Sequence, residues 1–288
     1  MSATRIPGPQ STGHPADWTV DQTWASYRPD EHRLWATLYE RQTNLLDGRA
    51  CDAFLKGLDA LDLHRSGIPD FARINPELQK LTGWTIVAVA GLVPDAVFFE
   101  HLANRRFPAG QFLRRPDQID YLQEPDIFHD VFGHVPMLTD PVFADYMQAY
   151  GRGGLRALHR GQLHHLARLY WYTVEFGLLQ THKGLRIYGA GILSSHSESI
   201  FALEDPSPNR LGFDLRRVMR TPYRIDDFQQ VYFATPSLEA LRDVTLGDFG
   251  PLYDSLEHCE DVAIATVLPE DLVLTPGSTP RACRAADQ

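Results

Sequence analysis

EPDIFHDVFGHVPML, residues 124–138, sets two imidazoles, His129 and His134, among Ile127, Phe128, Val131, Phe132 and Val135. Apolar residues at this density mark a buried segment, and a neutral imidazole held in one is a good ligand for zinc, iron or copper. Residues five apart point about 140° away from each other on an ideal α-helix, so the two rings converge only where the helix starts or breaks. Gly133 and Pro136 offer that break. The spacing alone carries little, because His159 and His164 repeat it beside Arg156, Arg160 and Arg168, on a basic helical face expected to be solvated. What sets His129 and His134 apart is their desolvated setting, with Asp126 and Asp130 at hand to orient the ring nitrogens. The plain alternative is a pair of satisfied core histidines.

Working outward, the next anomaly is Glu175 in LYWYTVEFGLL, residues 169–179. An unpaired carboxylate in so apolar a run costs several kcal/mol, so it calls for a cation. Two His and one carboxylate suit a non-haem Fe(II) oxygenase, and equally a catalytic zinc with one open position. The H-E-x-x-H pattern of zinc peptidases is absent, because the neighbour of His129 is Asp130. Trp171, Tyr172 and Phe176 flank Glu175 and suit a planar ligand, or simply a core. Arg114 and Arg115 are placed to grip a carboxylate, or to lie at the surface. YGAGILSSHSE, residues 188–198, reads as a Gly-rich turn entering a Ser-capped helix, which a ligand can approach closely.

Around these segments helix dominates. EHRLWATLYERQTNLLDG (31–48) and CDAFLKGLDALDLH (51–64) are amphipathic, the second stopped by Ser66-Gly67, and Asn75-Pro76 suggests the start of a short helix over PELQKLTG. PDAVFFEHLANRR (94–106) is helical, Asp140-Pro141 opens a helix to about Ala149, and 163–180 reads as one longer helix. SLEALRDV and the 251–267 region also look helical, while WTIVAVAG (84–91), RIYGAG and QQVYFAT read as short strands. Strands so few and scattered exclude a doubly wound sheet, and the fold class expected is mainly α with a few short β-strands.

Of 288 residues, 43% are hydrophobic and 22% charged, which excludes disorder for most of the chain. Lys and Arg number 27 against 37 Asp and Glu, a net charge of -10 that disfavours nucleic acid and anionic membrane surfaces. Three Cys against 12 His disfavour a disulfide framework and favour a His and carboxylate metal site. No targeting or membrane-spanning stretch appears, so a cytoplasmic protein is expected. Residues 1–18 and 275–288 read as flexible ends, leaving 19–274 as one catalytic domain.

EPDIFHDVFGHVP, WYTVEFGL and YGAGILSS, in that order, resemble the pterin-dependent aromatic amino acid hydroxylases, and within them the compact bacterial branch that hydroxylates phenylalanine. The resemblance extends from TWASYRPDEHRLWATLYERQ through TGWTIVAVAGLVP and RRPDQIDYLQEPD to YRIDDFQQVYF, covering most of the chain. It implies an iron held by His129, His134 and Glu175. It implies amino acid contacts at Arg114 (carboxylate), Trp171 (aromatic ring), Tyr121, Leu122, Phe176, Gly191 and Ser194, the last also supporting His129. A tetrahydropterin is implied on Phe98, backbone from Gly91 through Leu92 to Val93, Asp130, and Ala167 with Tyr170 on the facing helix. Asp130 stands where animal members commonly have Glu, and Leu122-Gln123 where they have Thr-Pro. The animal members' N-terminal regulatory domain and C-terminal tetramerising helix find no room here, so a constitutively active monomer is expected. The reaction implied is L-phenylalanine with O₂ and a tetrahydropterin giving L-tyrosine and a 4a-hydroxypterin. Rival readings are tryptophan or tyrosine as substrate, a zinc hydrolase on the same ligands, and a metal-binding protein without catalysis.

Overall fold

A computed structural model describes residues 17–63, 67–120 and 124–278, and in it the two-histidine segment is walled in by aromatic rings. Helix Pro29–Leu46 buries Trp35, Leu38, Gln42 and Leu46. Its first turn combines Pro29 with a Glu31 carboxylate that accepts the Arg28 N–H at 2.8 Å. Trp35 meets Phe128 edge-on at 5.2 Å, and Tyr39 meets Phe132 at 5.6 Å. Helix Asp52–Ala60 ends sooner than its sequence suggests and brings Phe54 within 5.6 Å of the Phe132 ring. Phe128 and Phe132 stack on each other at 4.6 Å. These rings take the segment out of water, which is why its polar groups need internal partners.

The helix containing Pro76 starts earlier than Asn75-Pro76 suggests, running Phe71–Thr82 from an Asp70 cap whose side chain accepts the Ala72 N–H at 2.9 Å. Pro76 therefore sits inside a helix. Asn75 is held instead by a two-way exchange with the backbone of Ile86, 2.7 Å and 2.9 Å. Helix Pro141–Arg160 likewise continues well past Ala149, through three glycines usually read as breakers. A Cβ on Gly151 would lie 2.4 Å from the Ala103 nitrogen, and one on Gly154 would lie 2.0 Å from the Phe99 ring. Those positions are glycine so that helix Asp95–Ala103 can pack directly on the backbone. Residues 163–180 divide into three elements: helix Leu163–Tyr170, a π-helical turn Trp171–Glu175 and strand Leu178–Thr181. Of 251–267, only Gly250–Leu256 overlaps a helix, and Leu238–Thr245 is helical as expected.

About half the chain is helical, and the strands form two small sheets. In the first, β1 (Thr19–Val20), β2 (Thr85–Val89) and β3 (Arg106–Ala109) lie in sequence order. The second uses β4 (Leu178–Thr181), β5 (Gly184–Ile187), β6 (Asn209–Gly212), β7 (Val231–Thr235) and β8 (Val273–Thr275), in the order β5-β4-β7-β6-β8. RIYGAG divides between the end of β5 and a short helix Ala190–Leu193. Beyond β8, Gly277 N–H donates to Asn209 Oδ1 at 2.8 Å and Ser278 N–H to the Pro206 carbonyl at 2.7 Å, tying residues to 278 onto the β6 region. Among the described residues no helix is long and apolar enough to cross a membrane.

Candidate metal centre

His129 and His134 lie on a π-helix, Phe128–His134. Its i→i+5 closure brings residues five apart over one another, so the rings converge through a change of winding rather than a break at Gly133 or Pro136. Their centroids are 4.9 Å apart with planes at 87°, and the two Nε2 atoms are 3.2 Å apart. Glu175 closes the second π-helical turn and offers Oε1 to His134 Nε2 at 3.3 Å and Oε2 to His129 Nε2 at 3.6 Å. One ligand atom from each of the three lies within 4.8 Å of the others. A Cβ on Gly191 would come 3.2 Å from Glu175 Oε2 and 3.0 Å from the Phe176 ring, so this residue is kept bare by the carboxylate and the aromatic beside it.

His129 Nδ1 lies 2.9 Å from Ser194 Oγ, whose own hydroxyl donates to the Ala190 carbonyl at 2.8 Å. The serine can therefore only accept, the proton sits on Nδ1, and Nε2 is left as a lone pair facing Glu175. Burial pushes His129 down to about 4, so the ring is neutral at ordinary pH. For Glu175 burial works upward, but His134, which faces the carboxylate and hydrogen-bonds it, outweighs burial and holds the carboxyl below its ordinary value. Two imidazole nitrogens and a carboxylate turned toward one point, with the His129 proton locked on the far side, fit a divalent cation.

The aspartates serve other partners than the ring nitrogens. Asp126 holds Arg114 at both edges, Nε to Oδ2 at 2.9 Å and Nη2 to Oδ1 at 3.0 Å, and accepts the His129 backbone N–H at 3.0 Å. Asp130 accepts the Gly110 N–H at 2.7 Å; burial pushes its acid up to about 7 against that hydrogen bond. Arg115 pairs only locally, with exposed Asp117.

Around the triad the structure gathers Trp171, whose indole has the Phe176 ring at 4.7 Å and the Tyr223 ring at 4.3 Å. On another side Tyr170 lies 5.9 Å from Phe98 and 6.4 Å from the His134 ring. Ala167 is one turn earlier on the same helix as Tyr170. Gly91, Leu92 and Val93 follow β2 as an open turn in which Leu92 is 82% exposed. Tyr121 and Leu122, with Gln123, lie outside the described residues. His159 and His164 are exposed, as their basic setting suggests, whereas His101 and His165 are buried on backbone carbonyls. Sequence reasoning gave no role to Phe107, 4.9 Å from the His134 ring, nor to Tyr223 and Gln229, although both lie inside the YRIDDFQQVYF stretch that carries the resemblance.

A family model described as biopterin-dependent aromatic amino acid hydroxylase matches residues 21–249. The chain belongs to this family. A phenylalanine-4-hydroxylase from Caulobacter vibrioides is 71% identical over 271 residues, 94% of this hydroxylase and 92% of its relative. The iron- and phenylalanine-bound crystal structure of phenylalanine hydroxylase from Chromobacterium violaceum superposes with a TM-score of 0.87 at 56% identity, covering 91% of this chain and 96% of that one. The same enzyme with bound oxidised Fe(III) gives 0.88 at 58% identity, covering 91% and 95%.

Proposed function

We propose that this hydroxylase converts L-phenylalanine to L-tyrosine, with O₂ and a tetrahydropterin as co-substrates, at an Fe(II) held by His129, His134 and Glu175. The observation that carries the reading is the three-residue cluster itself, a carboxylate and two imidazole nitrogens turned inward, in a chain of this family with phenylalanine hydroxylases as near relatives. Bound iron and reduced pterin supply the oxygen activation: O₂ takes up four electrons, two from the pterin and two from the ring carbon that gains the hydroxyl.

The chain's own residues bind, aim and shield. Arg114, buried and neutralised by Asp126, takes the amino acid carboxylate, and a zwitterionic substrate adds no net charge to that pair. Trp171 supports the substrate ring, with Phe176, Gly191 and Ser194 completing that wall. Tyr121 and Leu122 are assigned to the amino acid side as well. Phe98 and Tyr170 form the aromatic floor for the pterin, with Ala167 beside Tyr170 and backbone from Gly91 through Leu92 to Val93 at its edge. Asp130 is assigned to the polar edge of the pterin, with Oδ2 already engaged by the Gly110 N–H. The surrounding aromatic rings limit water at the reacting centre, which keeps pterin oxidation coupled to hydroxylation.

Residues 19–274 are assigned as one catalytic domain, to which the ordered residues 275–278 remain attached, in a monomer working in the cytoplasm. The test is reconstitution of metal-free protein with Fe(II) or Zn(II), offering phenylalanine, tryptophan and tyrosine in turn. Tyrosine formation from phenylalanine only with Fe(II) and a tetrahydropterin is expected. Activity restored by Zn(II) without pterin would replace this reading with a hydrolase.

A further inference from the structure

Two hydrogen bonds tie the π-helical turn that ends in Glu175 to residues 221–230, a stretch without regular secondary structure. Tyr172 Oη donates to the Pro222 carbonyl at 2.6 Å, and Trp171 Nε1 donates to Gln229 Oε1 at 2.9 Å. Between these ties Tyr223 lies flat on the indole, centroids 4.3 Å apart and planes within 14°. Gln229 is only 3% exposed, and its amide NH₂ and backbone N–H are engaged as well. Nε2 donates to the Arg224 carbonyl at 3.0 Å, and the backbone N–H points at Glu198 Oε1 at 3.4 Å. Glu198 also takes the Tyr232 hydroxyl.

This pattern fixes the orientation of the amide. With the NH₂ group facing a carbonyl, the oxygen faces the indole; turning the amide over would set NH₂ against the indole N–H and oxygen against a carbonyl oxygen. Gln229 thus joins two tasks in one side chain: it closes the 221–230 stretch on itself and offers the acceptor that the Trp171 indole needs. The torsion about the indole's Cβ–Cγ bond is intrinsically broad, so the plane of an indole without such a partner is set only by packing.

We propose that Gln229 is a positioning residue for the hydroxylation: by accepting the Trp171 N–H it fixes the plane on which the substrate ring rests, and so aims the carbon that is hydroxylated. The inference rests on the proposed role of Trp171 as the substrate's platform. Misplacement by about 1 Å far from the chemistry can lower a rate by up to about 100-fold, so loss of this one acceptor is enough to matter.

The test compares Gln229→Leu, which has no acceptor, with Gln229→Glu, whose buried acid form keeps an acceptor for the indole and an O–H for the Arg224 carbonyl, each alone and in a Trp171→Phe background. The readouts are tyrosine formed per pterin oxidised, kcat and KM for phenylalanine, melting temperature, and the Trp171 indole N–H resonance, identified by its loss in Trp171→Phe. Gln229→Leu is expected to lower kcat by about tenfold and tyrosine per pterin by about fivefold, with KM moving by less than about threefold. Its indole resonance shifts and exchanges faster, Gln229→Glu recovers most of both properties, and in the Trp171→Phe background Gln229→Leu adds less than about twofold. Wild-type coupling in Gln229→Leu despite a displaced indole resonance would overturn the proposal. So would equal losses in both variants that track their melting temperatures, or full additivity with Trp171→Phe. If the wild-type protein forms no tyrosine, the functional reading fails first and this inference with it; if it does and Gln229→Leu is unaffected, this inference alone fails.

Discussion

Because the Ser194 hydroxyl is spent on the Ala190 carbonyl, its only service to His129 is to accept the Nδ1 proton, and through that to leave Nε2 free for a metal. Ser194→Ala is expected to weaken iron binding by about 10- to 100-fold, measured by titration of the metal-free protein, and unchanged affinity would remove Ser194 from that role. Glu198 gives a pH prediction. Burial pushes its acid up to about 7, against the opposing hydrogen bonds from Tyr232 and the Gln229 backbone. A folded-state value above the unfolded one means a stabilising contribution present in full below the ordinary value of 4.5 and lost as pH rises through about 7. The denaturation midpoint of wild type relative to Glu198→Gln is therefore expected to fall between pH about 5 and about 8, and a flat difference would contradict it. At this scale the sequence was partly legible. Glu175 declared itself as a carboxylate in an apolar run and His129 and His134 as imidazoles in another, but the aspartates beside the histidines misled. Adjacency in the chain suggested ring partners, and only folding shows Asp126 turned to Arg114 and Asp130 to the Gly110 amide.

Helix Pro141–Arg160 runs well past the expected end near Ala149, through Gly151, Gly153 and Gly154, residues of low helix propensity. The reason for Gly151 and Gly154 is tertiary: a Cβ at Gly151 would strike the backbone of Ala103, and one at Gly154 the Phe99 ring. Gly151→Ala is thus expected to destabilise by about 1–3 kcal/mol although alanine is the better helix former, read as a lowered melting temperature. A stabilised variant would mean the two helices are free to separate. The two π-helical turns were half legible. A five-residue His spacing demanded some departure from α winding, but nothing in the Trp171–Glu175 stretch distinguished a π turn and a strand from a continuing helix. The short strands β1, β3, β4, β6 and β8 were missed for a similar reason, since strands of two to four residues leave no periodicity to detect.

Across the whole molecule the fold draws together Arg114, the two histidines, Glu175 and the 221–230 stretch; the family resemblance implied the first three as one site, and only the structure adds the last, through Trp171 and Tyr172. Assembly from such distant parts makes the cation a fastener of the fold. Fe(II) at about 100 times its dissociation constant is expected to stabilise the protein by about 2.7 kcal/mol, visible as a raised melting temperature that Glu175→Ala abolishes. Glu175→Ala also supplies the most direct test of the account: tyrosine formed from L-phenylalanine, with O₂ and a tetrahydropterin, by iron-treated wild type and variant, with the iron content of each determined alongside. The account predicts tyrosine from the wild type and, in the variant, loss of tyrosine formation together with loss of bound iron. Tyrosine formed by Glu175→Ala at the wild-type rate would contradict it.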